Sequence, residues 1–161
     1  MDDSDTSRPG NPQADPRNGW DIGSVTDHSG LRVMGLEECL SRVDEAPVGR
    51  LAFPLDGEIA VLPVNHVLDG VDICFRTAGG SKIQAAVDGD AVSYEVDEWD
   101  SAQRSGWSVL VHGTATIVDD DAQAARLDAA APPPWFALDP EQTRWVRVST
   151  RQVTGRMIVP Q

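Results

Sequence analysis

Two Asp-Gly pairs, Asp56-Gly57 and Asp69-Gly70, do most to limit how this chain can fold. Each sits between runs rich in β-branched and aromatic residues, the pattern of antiparallel strands turned back by a tight hairpin. The runs are Val48 to Pro54, Glu58 to Leu68 and Val71 to Thr77. Further on, Ala91 to Val96 sets Val92, Tyr94 and Val96 against Ala91, Ser93 and Glu95, a period of two. Trp107 to Val118 and Trp145 to Ile158 are longer runs, with Gly113 and Gly155 as expected bulges or kinks. Pro63, inside the second run, lacks a ladder donor and assigns that run to an edge or a bulge.

Three helices fit between these strands. Residues 35–46 place Leu36, Cys39, Leu40 and Val43 on one helical face, and Pro47 ends the helix. Ser81 is a good cap for a short helix over Lys82 to Val87. Asp119 to Ala131 begins with carboxylates that suit a helix N-terminus and stops at Pro132-Pro133-Pro134. Residues 97–104 read as a polar connection. The expected class is mainly β: six antiparallel strands closed into a barrel with short α-helices flanking it.

Residues 1–30 are unlike the rest. Six aspartates face only Arg8 and Arg17, and Gly, Ser, Asn and Pro fill much of the remainder. Such a stretch buries too little apolar surface to offset its ordering entropy, so it reads as a disordered acidic tail ahead of a domain over 31–161. Trp20 and Ile22 are the side chains that could pin its end. The tail carries −4 of the chain's −13, leaving −9 for the domain. An acidic surface repels phosphate backbones and anionic bilayers, so neither nucleic acid nor membrane is expected as a partner. With no apolar span and no signal-like segment, the expected location is cytoplasmic. Cys39 and Cys74 form no metal or redox motif and read as buried small hydrophobes; no metal site is expected.

Chemistry concentrates in Phe75-Arg76-Thr77-Ala78-Gly79-Gly80-Ser81-Lys82. A strand ends, two glycines turn the chain, and a helix opens beside the only lysine among thirteen cationic side chains. Helix amides, hydroxyls and two cations in one small volume suit a phosphate. The same residues also fit a plain strand–turn–helix with solvated charges. Pro63 leaves an incomplete ladder where a ligand edge could bind, and Trp107 offers either a flat contact face or ordinary core packing.

Four segments, in this order, resemble the FMN-binding split-barrel family: Ala46 to Ala52, Leu62 to His66, Phe75 to Thr77 with Gly80 to Lys82, and Gly106 to Gly113. Trp145 to Val148 and Val153 to Arg156 resemble its last strand. The likeness is to pyridoxamine 5'-phosphate oxidase-like flavoproteins, nitroimidazole-reductase-like members included. It implies a split barrel that works as a homodimer sharing its cofactor sites. Arg76, Thr77, Ser81 and Lys82 would hold the FMN phosphate. Pro63, Val64 and Asn65 would run beside the isoalloxazine ring. Trp107 and Ser108 would contact the flavin from the same or the other subunit. The implied activity is flavin-dependent oxidation or reduction of a small molecule. Oxidation of pyridoxamine 5'-phosphate itself is not expected, because only Arg50 and Arg104 are at hand for a second phosphate. The alternatives are the deazaflavin coenzyme F420 and non-enzymatic flavin or haem storage, with His66 or His112 as axial ligand.

Overall fold

The structure, a computed structural model, describes residues 25–78, 80, 85–86, 88–133 and 143–159. Eight strands and two complete helices follow one another. These are β1 (Arg32–Met34), α1 (Leu36–Glu45), β2 (Gly49–Leu55), β3 (Glu58–Val64), β4 (Val67–Asp69), β5 (Asp72–Ala78), β6 (Ala91–Asp100), β7 (Ser105–Ile117), α2 (Asp121–Ala130) and β8 (Thr143–Ile158). Ala85 and Ala86 are helical; Ser81 to Gln84, with most of the expected middle helix, lie outside the described residues, as do Trp20 and Ile22.

Every pairing is antiparallel, in the order β3-β2-β6-β7-β8-β5-β4, with β1 added beside β8. β3 and β4 lie at opposite ends of that path, yet only Asn65 and His66 separate them in the chain. A sheet whose two ends are joined by two residues must roll up. Among the described residues no ladder joins β3 to β4, so the barrel is split there.

The expected hairpins form from local turn chemistry. Asp56 and Gly57 take φ of 52° and 84°, both left-handed, as a two-residue turn matched to strand twist requires. Gly70 at φ 68° opens the β4–β5 turn. The six expected strands become eight for two reasons. Glu58 to Leu68 breaks at Asn65-His66, where the chain crosses the split, and Arg32–Met34 adds a short strand along β8. Residues 97–100, expected as connection, continue β6, and the turn is Ser101 to Arg104. The Asp100 carboxylate accepts from the amides of Ala102 and Gln103 at 2.9 Å and closes that turn.

Alternation sends Leu51, Phe53, Ile73, Phe75, Val92, Tyr94, Val96, Val109 and Val111 into the core. The bulge lies opposite Gly113 rather than in its own strand: His112 pairs with Gln152 and Gly113 with Thr150, so Arg151 of β8 is the extra residue. It reverses which side chains point inward. Val146 and Val148 face the core before it, Gly155 after it. Helix α1 covers one mouth of the barrel with Cys39 and Val43; Leu36, expected on its buried face, is exposed. Gly155 lies against that helix, where a Cβ would come within 2.4 Å of Cys39 Sγ. Helix α2, capped by Asp120 as its sequence suggests, packs Leu127 on Cys74 and Trp145 outside the barrel. Residues 25–30 lie alongside: Asp27 accepts from Arg156 Nε at 2.8 Å.

Candidate flavin site

Adjacent residues on a strand face opposite ways, and this separates the pairs that the sequence suggests should act together. On β5, Thr77 is buried and lies in the core-facing series with Ile73 and Phe75. Arg76 points outward. Its guanidinium lies 5.1 Å over the Trp145 ring, 3.7 Å from Asp128 Oδ1 and 3.4 Å from the Pro132 carbonyl. These are long contacts for an arginine, leaving much of its hydrogen-bonding capacity for an anion. The strand then turns at Gly80, whose φ of 90° needs glycine. Ser81 and Lys82, the other two phosphate candidates, lie outside the described residues. The described donor on the outward side of this glycine turn is therefore the loosely held guanidinium of Arg76, which suits the phosphate of a flavin, while Thr77 is turned to the core.

Pro63 pairs with Arg50 on the edge strand β3. Counting from the two-residue turn, 55↔58, 53↔60, 51↔62 and 49↔64 are the hydrogen-bonded pairs of the β2–β3 ladder, so 50↔63 is not. Pro63 therefore costs no ladder bond, and its carbonyl faces the open edge at the split. Val64 is buried against Gly49. Asn65 Nδ2 donates to the Pro47 carbonyl at 2.8 Å, fixing the crossing of the split to the end of α1.

On β7, Trp107 and Ser108 also part company. Trp107 is buried; its Nε1 donates to Glu98 at 3.2 Å and Arg42 lies 5.6 Å over its ring. Ser108 faces outward, between Asp97 of β6 and Arg156 of β8. Arg76 pairs with Trp145 at the start of β8, whereas Trp107 pairs with Met157 near its end. Twelve positions separate these partners, roughly 40 Å of strand contour at ~3.3 Å per residue.

His66 is not open to a ligand. Its Nε2–H donates to the Val43 carbonyl at 2.7 Å, and its Nδ1 accepts from the Tyr94 hydroxyl at 2.6 Å. Burial lowers its pKa and keeps it neutral. Nothing in the sequence around His66 gives this away, since it depends on Tyr94, 28 residues distant. Tyr94 in turn accepts from the Gly49 amide, and burial raises its own pKa far out of range. Gly49 has no room for a Cβ, which would lie 2.2 Å from that hydroxyl. His112 is exposed on the outer face, its Nδ1 2.9 Å from Ser93 Oγ. Arg50 is held by Glu95 at 3.0 Å and by Asp97, so it is a neutralised cation rather than a second phosphate grip.

An antiparallel barrel, open between β3 and β4 and carrying a strand–glycine turn with an outward arginine, defines a split-barrel protein with a candidate phosphate cradle. Comparison narrows the class. A family model described as pyridoxamine 5'-phosphate oxidase matches residues 36–157. The uncharacterized protein Rv0080 of Mycobacterium tuberculosis is 31% identical over 153 residues, covering 87% of this chain and 94% of its own. The FAD binding protein from Mycobacterium smegmatis is 34% identical, with a TM-score of 0.67 over 79% of this chain and 99% of that one. The FAD and heme binding protein of the same organism shares the fold, at 18% identity and a TM-score of 0.62 over 78% and 73%. The chain belongs to the pyridoxamine 5'-phosphate oxidase-like split-barrel family.

Proposed function

We propose that this protein is a homodimeric flavoprotein that exchanges electrons with a small molecule through a bound flavin. In each site one copy would grip the flavin phosphate with Arg76, Ser81 and Lys82, while Thr77, turned to the core, would hold the strand end in place. The other copy would meet the ring with the outward surface around Ser108. The observation carrying this reading is that Arg76 and Ser108 lie against opposite ends of β8. The flavin-binding structural relative supports the cofactor class. The free carbonyl of Pro63 would accept from the ring's polar edge, and Asn65 would hold that segment still through Pro47. Trp107 would act from behind, setting the position of Ser108 by its packing against Arg42 and Glu98. The flavin supplies the redox chemistry; the chain supplies binding, orientation and access. FMN is the flavin the resemblance implies, with FAD, named for the 34% identical relative, and F420 as the competing ligands. Haem ligation by His66 is disfavoured by its two internal hydrogen bonds. Two free, buried thiols, each pushed up to about 11, suit a reducing cytoplasm.

The test is a spectroscopic titration of the full chain with FMN, FAD, F420 and haemin, followed by subunit mixing. An Arg76→Ala/Lys82→Ala double variant should weaken flavin binding at least tenfold, about 1.4 kcal/mol. Ser108→Trp should block the ring. Mixing the two defective variants under conditions of subunit exchange should restore about a quarter of wild-type sites, since half the dimers are mixed and each holds one intact site. No recovery in a verified mixed dimer would refute the shared site, and binding of no flavin would refute the function.

A further inference from the structure

A second concave surface lies on the outer face of the sheet, apart from the residues assigned to the flavin. It has a volume of about 280 Å³. Ala52 and Pro54 of β2 and Ile59 of β3 make its apolar floor, and Ser93, His112 and Arg151 bring polar groups to it. Three features set it apart from ordinary surface. Arg151 is the extra residue of the β7–β8 bulge, and bulges re-aim side chains next to ligand sites. Salt bridges hold Arg32, Arg50, Arg147 and Arg156 closely to carboxylates, whereas among the described residues Arg151, like Arg104 and Arg126, has no such bridge, in a chain of net charge −13. Ile59 is 72% exposed, a large aliphatic side chain left in solvent beside that cation. The Ser93–His112 hydrogen bond engages the imidazole through Nδ1 and leaves its Nε2 edge for a ligand.

We propose that this groove binds a small organic carboxylate with an apolar body. The guanidinium of Arg151 takes the two carboxylate oxygens as a fork, and His112 supplies a third donor. The apolar body covers Ile59, Pro54 and Ala52. An apolar floor with one arginine selects against both bare inorganic anions and neutral apolar molecules, because each satisfies only half of the site. His112 lies four positions beyond Ser108 on the same face of β7, about 13 Å at ~3.3 Å per residue. The groove thus shares the outward face of β7 with Ser108 but lies clear of it, and to bind its ligand it must stay open in the homodimer.

The test uses the full chain without flavin and follows the side-chain NMR signal of His112, with buried His66 as internal reference. The probes are benzoate, benzyl alcohol and inorganic phosphate. Benzoate should shift His112 saturably with a Kd of roughly 1 mM, in keeping with a small ligand, and leave His66 in place. Phosphate and benzyl alcohol should bind about tenfold more weakly or worse. Arg151→Gln and Ile59→Ser should each weaken benzoate by about tenfold while the urea midpoint stays put. Three results would overturn the assignment: no saturation by about 20 mM benzoate, equal affinity for phosphate, or unchanged affinity in Arg151→Gln. A fourth is a self-association constant that Ile59→Ser weakens while wild type ignores benzoate, because the groove would then be covered by a second copy.

Discussion

Acid should unfold this protein through His66 before it does so through any carboxylate. In the fold the ring is 8% exposed and neutral, with Nε2–H on Val43 and Nδ1 facing the Tyr94 hydroxyl. A proton on Nδ1 would confront a hydroxyl that already donates there. Burial is the main cause of the lowered pKa; the Val43 carbonyl and Asp44 push weakly the other way. The unfolded chain titrates near 6.5, so below that pH it binds a proton that the folded chain refuses. Stability is then complete above about pH 7 and falls as the pH drops through 6.5 toward the folded value. The slope approaches ~1.4 kcal/mol per pH unit while one proton separates the states. Between pH 6.5 and 5 this amounts to at most ~2 kcal/mol, a large share of a small domain's stability. Asp27 and Glu38 are lowered by Arg156 and Arg32, so their losses belong below about pH 4. Glu95 is raised, first by burial and then by Asp97; its contribution has the opposite sign and blunts the acid end of the slope. Urea unfolding followed by tryptophan fluorescence from pH 5 to 8 measures this directly. His66→Gln, which cannot titrate, should be less stable at pH 8 yet lose the fall in stability from pH 6.5 to 5. An unchanged slope in that variant would refute the assignment of the acid sensitivity to His66.

Other perturbations separate close packing from backbone geometry and from ion pairing. Gly155→Ala places a Cβ 2.4 Å from Cys39 Sγ and 2.6 Å from Met34 Cε; overpacking of this kind should lower stability by about 1–3 kcal/mol in urea. Gly57→Ala meets no atom within 4 Å but sits at φ 84°, so its cost should be about 1 kcal/mol from backbone strain alone. A larger loss at Gly57 than at Gly155 would contradict both accounts. Asp72 accepts from Arg147 Nη1 at 2.6 Å and from the Thr150 amide at 2.8 Å. Asp72→Ala should therefore cost about 2–3 kcal/mol by thermal or urea unfolding, with little rescue by salt, because Arg147 keeps only Asp69.

Local chemistry explains what could be read in the sequence. Period-two alternation, the Asp56-Gly57 turn, the Asp120 cap and the stop at Pro47 depend on residues a few positions apart, so they are visible in one dimension. They delivered an antiparallel barrel and named the Arg76 turn. The edge position of Pro63 was also legible, because a missing donor can be tolerated in few places. Tertiary structure decided the rest, since burial and pairing join residues far apart in the chain. The break at Asn65-His66 follows from closure of the barrel, not from any strand breaker there. The inward or outward choice at Arg76, Thr77, Trp107 and Ser108 depends on register. In β8 that register is reset by one extra residue, Arg151, which no local signal marks. His66 carries a functional residue type, but its contacts with Val43 and Tyr94 make it part of the framework, a role fixed only once three distant segments meet.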